Sequence, residues 1–287
     1  MGCKLNYAES ATYERGFTAA GYTTVDWTEK ADLYIINTCS VTGQSDRKSR
    51  NIIRKIHKLA PEAAIVVTGC YAQLRREEIR AIEGVSLVIG ADEKGNLVRD
   101  TLDYIDGVRM DLDRKGPETL SECAREASSL TFAAYSGGEE RTRAFLKVQD
   151  GCDNFCAYCT VPFARGRSRS ISIEEAVGNA RRIAASGIKE IVITGVNTGD
   201  FGRNTGESFL DLLKALNNVE GIERYRISSI EPNLLTDEMV DWIASGTKFQ
   251  PHFHIPLQSG SDTILKDVGR HYDTEFFARK IEYIRSK

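Results

Sequence analysis

The stretch "DGCDNFCAYCTVPFARGRSRS", Asp150–Ser170, sets Cys152, Cys156 and Cys159 within eight residues. An apolar run, "AFLKVQD" (144–150), leads into it, and a helical pattern begins beyond it at Ile173. Ser172 and Glu175 introduce that helix in the S-x-x-E arrangement, and Gly187 closes it. The cysteines therefore occupy the loop between a strand and the helix that follows. The alternation continues with strand "EIVITG", helix "SFLDLLKALN", strand "RYRISSI", helix "TDEMVDWIAS", strand "HFHIPL" and helix "TEFFARKIEYI". Four strand-helix units in succession predict a (βα) barrel or a portion of one. Function in such a fold gathers at the carboxyl ends of the strands. There the sequence places the cysteine loop, "TGVNTGD", "SSIEPN" and "PLQSGS".

The first hundred residues also alternate. Buried strands are predicted over "DLYIINTC", "AAIVVTGC" and "SLVIG", and helices over 8–20, 44–59 and "NLVRDTLDYI". This pattern predicts an open α/β domain with a parallel sheet. Cys39 and Cys70 fall at the carboxyl ends of two of its strands, the edge where open α/β sheets bind ligands. Cys3 precedes the first helix. Between the two alternating series the periodicity fades into a polar connection that carries Cys123, read as a free thiol. The expected organisation is an N-terminal α/β domain over 1–105, a linker over 106–143 and a barrel-like domain over 144–287.

The composition, 41% hydrophobic and 28% charged, is that of an ordinary globular protein. No apolar run approaches the ~20 residues that span a bilayer, so no membrane association is expected and the cytoplasm is the expected location. Seven cysteines, an odd number scattered without a secretory pattern, argue against a disulfide framework. The net charge of −3 hides a local excess: Arg47, Lys48, Arg50, Arg54, Lys55 and Lys58 face only Asp46 as an acid between 44 and 59. With the "RGRSR" run (165–169) it offers a basic path for nucleic-acid phosphate. A solvated helix face is the plain alternative.

C-x-x-x-C-x-x-C lets one loop wrap three thiolates around a single centre. Zinc would take a fourth ligand, with His252 or His254 as candidates. A [4Fe-4S] cluster normally takes four cysteines, so three leave one iron open to a small molecule. A non-catalytic iron-sulfur or zinc-binding module stands as the alternative to an enzyme.

With Tyr158 before its last cysteine, the motif resembles the radical S-adenosylmethionine signature. In that superfamily the open iron binds S-adenosylmethionine, and an electron from the cluster cleaves it to a deoxyadenosyl radical. Upstream, "GCKLN", "NTCSVTGQSDRKSR" and "VTGCYAQ" resemble the three cysteine motifs of the methylthiotransferases, which hold a second [4Fe-4S] cluster there. Cys3, Cys39 and Cys70 fall on those positions. "SVTGQSDRKSR", "QDGCDNFCAYCTVPFARG", "GVNTGDFG", "SSIEPN" and "HIPLQSGSDTILK" most resemble the threonylcarbamoyladenosine tRNA members. The isopentenyladenosine tRNA enzymes and the ribosomal-protein enzymes are the nearer alternatives.

The resemblance implies two [4Fe-4S] clusters, S-adenosylmethionine, the anticodon stem-loop of tRNA as substrate, and an electron donor such as flavodoxin or ferredoxin. It implies that Tyr158, Gly195, Val196, Asn197, Glu231 and Gln258 line the cofactor pocket, with chemistry at the clusters rather than at a catalytic side chain. Arg165, Arg167 and Arg169 are expected to neutralise phosphate or the cofactor carboxylate. A strand before Cys3, the last barrel units and the RNA-binding TRAM domain of the family have no counterpart in this sequence, so a fragment of a longer product is expected.

Overall fold

Fully buried parallel strands read as short apolar runs because both faces are covered by helices. In the computed structural model the described residues are 2–40, 42–91, 93–107, 134–135 and 142–287. They form two compact units: one from the described residues of Met1–Phe132 with Phe163–Arg167, the other from those of Ala133–Pro162 with Ser168–Lys287. Cys123 and most of the expected linker lie outside the described residues.

The first unit runs α1 (Lys4–Ala19), β1 (Leu33–Thr38), α2 (Gly43–Leu59), β2 (Ala64–Gly69), α3 (Cys70–Leu74), α4 (Arg76–Arg80), β3 (Val85–Ile89) and α5 (Leu97–Ile105). Its sheet is parallel in the order β1-β2-β3. Alternation along β2 splits the core. Ile65 and Val67 pack with Ile53 and Ile56 of α2 and with Tyr71 and Ile79, while Val66 packs with Tyr13 and Phe17 of α1 and with Leu97. Each such aliphatic side chain contributes about 1.5–3 kcal/mol by leaving water. The first helix starts at Lys4, earlier than the periodicity suggested.

The second unit contains β4 (Ala134–Tyr135), β5 (Arg143–Lys147), β6 (Gln149–Asp150), part of α6 (Val161–Arg165), β7 (Arg169–Ser170), α7 (Ile173–Ala185), β8 (Glu190–Thr194), α8 (Phe209–Asn217), β9 (Arg224–Ile227), α9 (Asp237–Ala244), α10 (Asp262–Asp267) and α11 (Thr274–Ser286). One sheet has the order β4-β5-β8-β9, with β5, β8 and β9 parallel and β4 antiparallel on the edge; β6 and β7 form a separate ribbon. The sheet is open rather than a closed barrel. A hydroxyl or carboxylate caps each long helix: Ser172, Ser208, Thr236 and Asp273 accept from the backbone N–H of Glu175, Asp211, Met239 and Phe276 at 2.7–3.2 Å. Such a cap contributes about 0.5–2 kcal/mol.

The fourth strand, predicted over "HFHIPL", does not form. Among the described residues this segment makes the isolated bridge Ser229↔His254, with another, Tyr225↔Phe249, just before it. Pro251 and Pro256 carry no N–H, so a regular ladder cannot run through them. The short α10 within "SDTILKD" is a helix the periodicity missed.

Candidate iron-sulfur and cofactor sites

In the first unit the register of the sheet places two thiols. β1 and β2 pair residue by residue from Leu33↔Ala64 to Thr38↔Gly69. Cys39 and Cys70 are the next residues, so they leave the carboxyl edge side by side, both buried. Cys3, exposed at the N-cap of α1, is drawn to the same edge through Asn6. Its thiol donates to Asn6 Oδ1 (3.3 Å), while Asn6 Nδ2 donates to the Thr38 carbonyl (2.7 Å) and to Asn37 Oδ1 (3.1 Å). Thr38 Oγ1 closes the network by donating to the Thr68 carbonyl and accepting from Ala72 N–H. Gly69 has φ +99 and ψ −170, a region open essentially to glycine alone. A Cβ there would lie 2.2 Å from the Thr38 carbonyl oxygen.

Beneath these residues Glu9 is fully buried and pairs with Lys94 (3.1 Å) and Arg165 (3.1 Å). Arg165 also donates to Asn6 Oδ1 at 2.7 Å. It is therefore committed inside the first unit, and the expectation that it meets phosphate or a cofactor carboxylate is corrected. Arg169 is likewise buried, against Asp150, which also pairs with Lys147 (2.6 Å). Arg167 alone of the three is exposed.

In the second unit the three cysteines follow β6, with Cys156 buried and Cys152 and Cys159 partly so. Two non-glycine residues of the described chain have positive φ, Phe155 (46°) in this loop and Gln258 (67°) in the "PLQSGS" loop. Each left-handed residue costs of order 1 kcal/mol, and such strain clusters at functional loops. Burial pushes the Cys152 thiol up to about 11, with the neighbouring Cys159 and Cys156 adding to the effect. Three thiolates at this spacing repel one another and need a cationic centre to stay deprotonated.

Around them the strand-end loops are tied together. Gln149, buried, donates to the carbonyls of Asp150 and Gly151 and accepts from Asn197 N–H at 2.9 Å. Asn197 Oδ1 in turn accepts from Glu231 N–H at 3.4 Å. Gly195 backs onto Gln149, whose Oε1 would lie 2.8 Å from a Cβ, and Val196 is half-buried beside it. Tyr158, 55% exposed, donates to Gln258 Oε1 at 2.9 Å. Arg270 donates to both Glu231 Oε1 and Tyr158 Oη. Gln149 and Arg270 escaped the sequence reading because what marks them is a contact with residues distant in the chain.

Thr194 Oγ1, Ser228 Oγ, Asn233 Oδ1 and Arg270 Nε are buried with no hydrogen-bond partner among the described residues. Leaving a buried polar group unmade costs about 1–3 kcal/mol, so Thr194, Ser228 and Asn233 at and after the ends of β8 and β9, with Arg270 after α10, fit a polar ligand. Three thiols on one short loop, with unmet polar groups elsewhere in the same unit, are a donor set whose chemistry fits an iron-sulfur cluster and a polar cofactor. Among the described residues no three His, Cys, Asp or Glu side chains are gathered around a point that would hold a metal ion, and His252 and His254 are exposed. What the structure offers is Cys39 and Cys70 at the carboxyl edge of one parallel sheet and Cys152, Cys156 and Cys159 in the single loop after β6.

Residues 1–90 match the uncharacterized protein family UPF0004, and residues 146–287 match the radical SAM superfamily. The chain is 41% identical over 287 residues to the threonylcarbamoyladenosine tRNA methylthiotransferase MtaB of Bacillus subtilis, covering 99% of this chain and 62% of that protein. It is 36% identical over 286 residues to the protein of the same name in Aquifex aeolicus, covering 99% of this chain and 68% of that one. The chain belongs to the radical S-adenosylmethionine methylthiotransferase family. It spans about three fifths of the length of its Bacillus relative. The fold also resembles that of a radical S-adenosylmethionine methyltransferase, TsrM, from Kitasatospora setae, with a TM-score of 0.68 over 98% of this chain and 62% of that one, at 15% identity. Membership in the radical SAM superfamily implies S-adenosylmethionine and a [4Fe-4S] cluster as cofactors. No helix among the described residues is long and apolar enough to cross a membrane.

Proposed function

We propose that this methylthiotransferase chain belongs to an enzyme that inserts a methylthio group at C2 of N6-threonylcarbamoyladenosine in tRNA, beside the anticodon. What carries the reading is two separate sets of three cysteines, Cys39 and Cys70 at the carboxyl ends of parallel strands with Cys3 at the N-cap of α1, and Cys152, Cys156 and Cys159 in the loop after β6, set in a chain 41% identical to a relative with that name. Cys152, Cys156 and Cys159 hold one [4Fe-4S] cluster, within a domain over 144–287. Cys3, Cys39 and Cys70 hold a second, within a domain over 1–105, and the residues 106–143 link the two. When bound, the first cluster and S-adenosylmethionine supply one-electron cleavage of the cofactor's sulfonium.

The chain's own residues bind and orient. Gly195 leaves room for Gln149, which a side chain there would crowd, and so keeps the Gln149–Asn197 contact that positions this loop for the cofactor. Asn197, Glu231, Tyr158 and Gln258 present polar groups already fixed by mutual hydrogen bonds, which lowers the ordering cost of binding. Binding of tRNA is supported by α2. Arg47, Lys48, Arg54, Lys55 and Lys58 are exposed at helical spacing on one stripe, whereas Arg50 is held by Glu78 and Tyr71, each at 2.8 Å. The enzyme works in the cytoplasm with a one-electron donor of the flavodoxin or ferredoxin class.

Mass spectrometry of tRNA nucleosides tests the substrate. A strain lacking the parent gene loses 2-methylthio-threonylcarbamoyladenosine and retains threonylcarbamoyladenosine; an unchanged 2-methylthio signal refutes the assignment.

A further inference from the structure

The geometry points to Arg270 and Glu231 as an opposed charge pair that sets the reduction potential of the cluster held by Cys152, Cys156 and Cys159. This inference rests on the proposed ligation by those three cysteines.

The two side chains come from different elements. Glu231 follows β9 and Arg270 follows α10, yet they form an ion pair with side chains only 12% and 7% exposed. The segment carrying Arg270 is fastened to the cysteine loop. Ala157 N–H donates to the Val268 carbonyl (3.3 Å), and Arg270 N–H to that of Leu265 (2.8 Å). The guanidinium donates to Tyr158 Oη and lies 5.9 Å from the centre of that ring. Ala157 and Tyr158 are the two residues between Cys156 and Cys159, so the positive charge is tied to the span that joins two of the thiols.

A buried ion pair often stabilises a fold less than apolar groups of the same shape would, and here Arg270 Nε is left without a partner among the described residues as well, so stability alone does not account for the pair. Electrostatics supplies the purpose. Reduction moves one electron from an external one-electron donor onto a centre that already carries three thiolates. No bond forms or breaks in that step, and the net charge falls by one. A fixed cation nearby favours the reduced state and a fixed anion opposes it, both with more force where water is excluded. Arg270 is the member of the pair that donates to the cysteine loop, through Tyr158 Oη, and Glu231 holds its side chain in place while opposing its charge.

The experiment is an electron paramagnetic resonance redox titration of the anaerobically reconstituted full-length parent protein, with dithionite as reductant. The wave lost in Cys156→Ala identifies the cluster concerned. Arg270→Gln is expected to lower, and Glu231→Gln to raise, the ratio of reduced to oxidised cluster at a fixed potential by about tenfold, which is 59 mV for one electron. Arg270→Lys keeps the charge and stays within about threefold of the wild type, and the double Gln variant returns toward it. If Arg270→Gln fails to load its cluster, Glu231→Gln and Arg270→Lys decide the matter. A wild-type potential in Glu231→Gln, or a shift of the same sign in both single variants, overturns the inference while leaving the cysteine assignment standing. If Cys156→Ala abolishes neither wave, the cysteine assignment itself fails and the inference with it.

Discussion

Substituting Gly69 by Ala tests the claim that sheet register delivers Cys39 and Cys70 together. Gly69 pairs with Thr38 as the last rung before the two cysteines, at φ +99 and ψ −170. An added Cβ would stand 2.2 Å from Thr38 O, 2.6 Å from Thr38 N and 2.7 Å from Asn37 Oδ1, neighbours that mostly belong to backbone and cannot rotate away. Holding a non-glycine residue in that region costs about 1–3 kcal/mol. Prising β1 from β2 to a tolerable separation adds about 1–3 kcal/mol of overpacking. The sum, about 2–6 kcal/mol, is a large share of a typical domain's stability. Urea unfolding measures the loss, and iron analysis after anaerobic reconstitution measures the site. The expected outcome is a lowered midpoint with about four of eight irons missing. Gly246→Ala is the control, because Gly246 also has positive φ (+90) but a Cβ there meets nothing within 4 Å. It should cost only about 1 kcal/mol of backbone strain and leave the iron unchanged. Wild-type iron and midpoint in Gly69→Ala, or equal damage from Gly246→Ala, would refute the reasoning.

Asn6→Ala leaves the Thr38 carbonyl without the donor it has in Asn6 and takes the acceptor from the Cys3 thiol; denaturation should show a loss of about 1–3 kcal/mol. Asp150→Asn strips the buried Lys147 and Arg169 of this carboxylate and should destabilise the second unit by about 3–5 kcal/mol in the same assay. Tyr225→Phe removes a buried hydroxyl that has no partner among the described residues while keeping the ring stacked on Phe249, so the melting temperature should rise by about 2–4 °C. Replacing Arg47, Lys48, Arg54, Lys55 and Lys58 by Gln should leave the melting temperature unchanged. It should reduce the dependence of log K on log salt for tRNA binding by about 0.7 for each phosphate no longer neutralised, and an unaltered slope would remove α2 from the interface.

Much of this was legible in the sequence for a plain physical reason. Strands such as "DLYIINTC" and "EIVITG" are covered on both faces, so burial leaves an apolar run whose end marks the ligand-binding edge. "HFHIPL" misled because its apolar residues are only partly covered and its prolines break the ladder, features that a hydrophobicity pattern does not separate from a strand. The "RGRSR" run misled differently. A run of like charge gives the sign of a surface only if the charges reach it, and Arg165 and Arg169 turn inward to Glu9 and Asp150. Glu231 and Gln258 stood out by their place in strand-end loops, but Arg270, which holds one of them and Tyr158, announces itself only through hydrogen bonds across the fold.

The two cysteine sets reach their positions by opposite routes, and the difference bears on how each depends on folding. Cys152, Cys156 and Cys159 need only one short loop to close, so chain connectivity supplies most of their proximity. Cys3, Cys39 and Cys70 are separated by a helix, two strands and a further helix, and nothing local brings them together. Their placement at one edge depends on the β1-β2 register, on the bare Cα of Gly69 and on Asn6 bridging α1 to the end of β1. The ligation proposed at the second place would therefore draw directly on the folding free energy of the first unit, because a centre that binds only the assembled edge stabilises that assembly. This explains why the buried polar residues of the first unit crowd under that edge. Asn6, Glu9, Asn37, Thr38, Thr68 and Lys94 are all at most 5% exposed. Their hydrogen bonds and ion pairs fix the ends of β1 and β2 where an apolar core would pack without fixing a direction, with Thr68 Oγ1 left without a partner among the described residues.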